Sequence, residues 1–309
     1  MPEFNLIKVD GKPLEKLIEV ISSAIGTIYK PRAMRKEADA KAYEIEIIER
    51  AKSRAEAEGK EIEAASYERL QDRLLHREMK RQMNIDAISN VAADELSQEE
   101  SVSEEPVSND WTTRFFNMAE DISDVDMQAL WGKILAGEVK QPKSFSLRTL
   151  EMIRNLSKYE ADTFIKASNY AIRSNESLFI FKDSDSTSKY LSYEVRSTLV
   201  EVGLLNPDNF ISYQMLDTPQ GSTSVFTSAN IIIIANKTAN TPIASTEVHA
   251  FSKSGTELLK LLKPTAQMPY LNAFGKSLAG KGIDVKYANI LKENADGTIQ
   301  HTVPLMDFV

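Results

Sequence analysis

The chain has 309 residues, of which 42% are hydrophobic and 27% charged, and it carries a net charge of −8. That composition is ordinary for a folded globular protein and excludes a disordered one, while the acidic balance gives no global attraction to nucleic acid or to an anionic membrane. The absence of cysteine excludes disulfides, thiolate metal sites and cysteine nucleophiles, and fits a reducing cytoplasm.

No membrane span is expected. The longest apolar run, Ile231-Ile232-Ile233-Ile234-Ala235, suits a buried strand and falls far short of the roughly 18 residues that a spanning helix needs. Met1 to Asp10 lacks the basic stretch and apolar core of a signal peptide.

Pro13 is a good first-turn residue, and Leu14, Leu17, Ile18, Ile21, Ile25 and Ile28 recur at helical spacing up to Lys30-Pro31. This amphipathic helix is expected to dock on its own protein or on a partner, because its polar face is poor in the Lys and Arg of a membrane-surface helix. From Pro31 to about Leu96 only one glycine, Gly59, interrupts a run of strong helix formers. Glu37/Lys41, Glu46/Arg50 and Glu56/Lys60 are acid-then-base pairs four apart, the favourable orientation. One helix of that length would reach about 90 Å and could not bury itself. The expectation is a charged arm, bent or broken at Gly59, that pairs by folding back or by self-association. Leu17, Ile21, Ile25, Leu70 and Leu74 are the candidate self-association residues.

Residues 97–109 are acidic, serine-rich and nearly free of apolar side chains, the composition of a flexible linker. Four short helices follow. Trp111, Phe115, Phe116 and Ala119 share one face. Ser123 with Asp126 predicts a capped start, and Gly137 a stop, for the helix of Met127, Leu130, Trp131, Ile134 and Leu135. Ser146 opens a third, and Ser157 with Glu160 forms a capping box before the fourth. Beyond about Asn175 strands are predicted at 178–181, 210–216, 224–237 and 246–251, and helices at 190–202, 257–263 and 269–279. A closing hairpin turns around Asn294-Ala295-Asp296-Gly297.

Two stretches carry a family resemblance. One is Tyr29-Lys30-Pro31 with the helix ending Arg81-Gln82-Met83-Asn84-Ile85. The other runs from Asp121-Ile122-Ser123-Asp124 through Trp131-Gly132-Lys133-Ile134-Leu135-Ala136-Gly137-Glu138 to Ser144-Phe145-Ser146-Leu147-Arg148. Over roughly residues 13–175 the chain resembles a bacterial family of unknown function, domain of unknown function 2806. The Trp131–Glu138 core also looks like part of the abortive-infection alpha family, which is tied to phage defence. Neither resemblance brings catalytic residues.

Arg69, Arg73, Arg77 and Arg81 fall four apart, with Lys80 beside them. On a helix they form a stripe that either tracks phosphates or pairs with acids such as Glu58, Glu61 and Glu63 of a neighbouring helix. The order helix, helix, Gly203-Leu204-Leu205, strand pair is that of a winged helix, although its second helix offers only Arg196 as a cation. Gly275-Lys276-Ser277 lacks the upstream glycine of a phosphate-binding loop. His76, His249 and His301 have no ligand-spaced partners, and Asp183 and Asp185 read as a solvated turn.

The predicted architecture is α+β: a helical arm over 1–96, a linker over 97–109, a four-helix core over 110–175, and a mixed winged-helix-like α/β region over 176–309. No cofactor or metal is called for. The leading functional reading is a non-enzymatic interaction protein that forms a homo-oligomer through its N-terminal helices, with phage defence as its setting. The alternative is a nucleic-acid-binding protein that uses the basic stripe or the winged-helix-like region.

Overall fold

The computed structural model describes residues 11–25, 46–59, 61–182, 191–208, 211–215, 218–239, 244–294 and 297–308. It is an α+β structure that divides into two compact units, Met1–Arg154 and Asn155–Val309.

The first unit is helical. α1 (Lys12–Ile25) packs on the later helices of the unit and buries Leu14, Leu17 and Val20. Residues 46–57 form α2. The chain then turns at Gly59, whose φ of +71° suits a residue without a Cβ, and continues as α3 (Glu61–Leu96). The predicted break therefore falls at Gly59. Lys52 of α2 pairs with Glu68 of α3 at 3.5 Å. These residues stand seven before and nine after Gly59, so the two helices fold back as a hairpin, and Ile48, Ala55 and Ala64 are buried along it.

α4 (Asn109–Ala119), α5 (Val125–Lys140) and α6 (Leu147–Arg154) complete the unit. Trp111 stacks on Phe115 at 4.9 Å, and Phe115 meets Trp131 at 5.1 Å. α3 lies unusually close to α5. A Cβ on Gly132 would stand 2.5 Å from Val91 Cβ and 2.9 Å from the Ile88 carbonyl oxygen, so glycine alone permits the approach. Two details depart from the sequence reading. The N-cap of α5 is Asp124, not Ser123: its Oδ1 accepts the N–H groups of Asp126 and Met127, both at 3.0 Å. Gly137 does not stop the helix, which runs on to Lys140.

Residues 97–108 form neither helix nor strand, yet they are tied down. Lys16 Nζ donates to the carbonyls of Ser103 and Glu105 at 2.7 and 2.8 Å. Ser103 N–H donates to the Lys140 carbonyl, Lys140 pairs with Glu99, and Val107 is buried.

The second unit begins with α7 (Lys158–Ser168), where the predicted Ser157/Glu160 capping box is complete. Its sheet contains β1 (Ile172–Ser174), β2 (Ser177–Phe181), β3 (Ser212–Gln214), β4 (Ser222–Ser228), β5 (Ile231–Lys237), β6 (Ser245–Ala250), β7 (Asp284–Glu293), β8 (Ile299–His301) and β9 (Met306–Asp307). The nine strands are antiparallel, in the order β3-β6-β2-β1-β4-β5-β7-β8 with β9 also beside β7. The helices are α8 (Tyr193–Glu201), α9 (Lys253–Leu259) and α10 (Met268–Ala279). Phe274 of α10 meets Phe226 at 5.1 Å and Phe181 at 5.2 Å, and the buried Tyr270 hydroxyl accepts the Phe181 N–H at 2.6 Å.

The stretch read as one strand over 224–237 lies within two, β4 and β5, joined by a two-residue turn at Ala229-Asn230. Among the described residues β3 pairs with β6 and not with β4, so the strand pair expected to follow α8 as a wing is not formed there. α9 starts four residues earlier than predicted, capped by Ser252, whose hydroxyl accepts the Gly255 N–H.

Candidate functional site

α3 carries every candidate side chain of the basic stripe. Arg81 is structural: it pairs with Glu120 at 3.3 Å and with Asp121 at 3.1 Å, bracing α3 against the end of α4. Beside it, Asn84 donates to the Glu120 carbonyl at 2.8 Å and accepts from Gln128 at 3.1 Å. Arg77 contacts its neighbour Glu78 at 3.3 Å, and Arg69 donates to Ser66 Oγ at 3.0 Å. Arg73 and Lys80 make no side-chain hydrogen bond or ion pair among the described residues. Of the acids expected to pair with the stripe, Glu58 pairs with Arg54 of its own helix, and the side chain of Glu61 lies outside the described residues. Arg69, Arg73, Arg77 and Lys80 are all exposed and form one basic row.

The self-association residues separate. Leu17 is only 1% exposed, because α1 docks on its own unit. Ile21 is half-buried, and the side chain of Ile25 lies outside the described residues. Leu70 and Leu74 are half-buried. The most exposed apolar row lies on the opposite side of α3: Leu75 at 46%, Met79 at 66% and Met83 at 68%. Their spacing of four is visible in the sequence, but only the packed structure shows that this face is uncovered.

The Trp131–Glu138 core proves architectural. Trp131 is fully buried and its Nε1 has no hydrogen-bond partner among the described residues. Glu138 is 2% exposed, and its two carboxylate oxygens accept the N–H of Lys143 at 2.6 Å and of Phe145 at 2.9 Å. Trp111 Nε1 donates to the Phe145 carbonyl at 2.8 Å, which ties the same loop from its other side. The model of DUF2806, a family described as proteins of unknown function, matches residues 68–275, two thirds of the chain. The chain belongs to DUF2806. The match begins within α3, takes in both exposed rows and the Glu138 loop, and ends within α10. It lends nothing to the shorter likeness to the abortive-infection alpha family. No curated protein and no solved structure matches the chain.

The remaining candidates do not converge. Among the described residues no group of three or more His, Asp and Glu is placed to hold a metal ion, and no helix is long and apolar enough to cross a membrane. Asp183 and Asp185 lie outside the described residues, as do residues 26–45. His249 is buried on β6, and Arg196 Nε donates to its Nδ1 at 3.3 Å. Burial, followed by the nearby Arg196 and Lys182 charges, pushes its pKa down to about 4. Arg196 also reaches the Pro207 carbonyl, so the one cation of α8 is engaged within the fold. Gly275-Lys276-Ser277 lies inside α10, and Gly275 admits the ring of Phe308, which a Cβ would strike.

Proposed function

We propose that this chain is a non-enzymatic interaction protein that self-associates through the outer face of α3. The observation that carries the reading is the row of Leu75, Met79 and Met83, three large apolar side chains standing exposed at four-residue intervals. Such a row is an i±4 ridge. Two identical ridges interdigitate at about −50°, and a two-fold axis near Met79 makes the contact self-complementary. The steep crossing also lets Asp72 and Asp86, which flank the row, diverge from their copies. One ridge buries less than the about 1,200 Å² at which stable specific complexes begin, so the dimer is weak and exchanges with monomer. Bacterial phage defence is the setting that accompanies this reading, on the likeness of the Trp131–Glu138 core alone.

Sedimentation velocity of the full chain across a range of concentrations tests it. The expected result is a mass that rises with concentration and stays monomeric in Met79→Glu. A monomer at every concentration, or an unchanged dimer in that variant, refutes it.

A second reading is favoured by Arg69, Arg73, Arg77 and Lys80, whose row extends for about 16 Å at 1.5 Å per residue and holds two cations without partners among the described residues. It would track the phosphates of a nucleic acid. Fluorescence anisotropy of a labelled duplex then shows binding that weakens steeply with salt and is lost in Arg73→Glu/Lys80→Glu. No binding at low salt removes this reading.

A further inference from the structure

A cleft of 420 Å³ opens on the second unit. One wall is the β1–β2 hairpin, with Arg173 and Leu178; the other is the end of α9 and the segment after it, with Leu259, Lys260, Leu262 and Lys263. The β4–β5 turn, Thr227 to Asn230, and the end of β7, with Ile290 and Glu293, complete the lining. The volume is within the range of small-molecule sites, about 300–1,000 Å³.

The chemistry of the lining is divided. Leu178, Leu259, Leu262 and Ile290 supply apolar surface, while the charged groups are three cations against the single carboxylate of Glu293. The cleft is thus locally cationic in a chain of net charge −8. The side chains of Arg173, Lys260 and Lys263 are exposed and make no ion pair among the described residues. Cations just past a helix C-terminus commonly serve the helix dipole, which accounts for Lys260 and Lys263. It does not account for Arg173, which comes from the facing wall.

We infer that this cleft binds a small organic phosphate of mononucleotide size, its phosphates between Arg173 and the Lys260/Lys263 pair and its less polar body against the leucines. The guanidinium supplies the planar, bidentate contact and the two ammonium groups supply point charge. This inference is independent of the α3 surface and survives its failure.

Isothermal titration of the full chain with ATP, with pyrophosphate and with adenosine separates the contributions. The inference expects ATP to bind more tightly than pyrophosphate, adenosine to bind weakly or not at all, and salt to weaken ATP binding. Arg173→Glu and, separately, Lys260→Glu/Lys263→Glu each weaken ATP binding at least tenfold; all three residues are exposed, and unchanged melting certifies the fold. Absence of ATP binding at millimolar concentration, equal binding of ATP and pyrophosphate, or ATP binding unaffected by both variants overturns it.

Discussion

Glu138 is a buried carboxylate whose cost of removal follows from its geometry. Its two oxygens each accept one backbone N–H, from Lys143 and Phe145, in a loop also held by Trp111 and by the Lys143–Glu105 ion pair. A hydrogen bond to a charged group contributes about 1.5–3 kcal/mol, and a buried donor left without a partner forfeits its solvation as well. Glu138→Ala strands both donors, so the first unit should lose about 3–5 kcal/mol. Glu138→Gln keeps one acceptor oxygen and turns an amide N–H toward the second donor, so it should lose about half as much. Trp111→Phe removes another tie to the same loop, and its effect should be less than additive with that of Glu138→Ala. In a unit of this size about 4 kcal/mol lowers the melting temperature by roughly 10 °C. Differential scanning calorimetry resolves that shift, and urea titration monitored by tryptophan fluorescence gives the free energy. A loss below about 1 kcal/mol for Glu138→Ala would mean that the loop does not depend on the carboxylate, and the argument fails.

Gly132→Ala drives a methyl group into Val91 and the Ile88 carbonyl; overpacking of this kind costs about 1–3 kcal/mol, and Val91→Ala in the same chain should recover part of it in a urea melt. Gly59→Ala meets no atom within 4 Å but sits at φ +71°; strain alone should cost about 1 kcal/mol, and a neutral result would contradict that turn. His249 is held neutral in the fold down to about pH 4 by burial and by Arg196, whereas an unfolded imidazole takes up its proton near pH 6.5. The unfolded state then binds more protons between these values, so stability is full above about pH 6.5 and falls as the pH is lowered. Urea midpoints measured from pH 7 to pH 5 should decline in the wild type and flatten in His249→Gln; parallel slopes would exclude the histidine as their source.

What could be read beforehand was local. The Ser157/Glu160 box was visible because its hydrogen bonds close within four residues, and Gly59 because it is the sole breaker in a long run of helix formers. The apolar stripe of α1 was equally plain, but a stripe shows that a face is covered and not what covers it; Leu17 is covered by its own unit. Ala229-Asn230 escaped notice because it interrupts a β-rich run without the usual glycine. The pairing of β3 with β6 was out of reach, since its partners lie more than 30 residues apart and no local signal sets that register. Of the candidate sites, the basic row was readable by its spacing, whereas the exposure of Met79 and the cationic cleft depend on which neighbours fail to arrive.

The placement of β7 bears on how the polypeptide emerges from the ribosome. β5, with its four consecutive isoleucines, lies between β4 and β7 and is paired along most of its length on both sides. Its second neighbour is translated about 50 residues later, an interval of roughly 2.5–10 s at 5–20 residues per second. Through those seconds the edge of β5 that β7 will cover has open amides along an apolar strand, the kind of template that recruits other chains. A fragment cut at the end of the matched region, residue 275, keeps that edge open permanently, so domain trimming guided by the family match alone would select for aggregation.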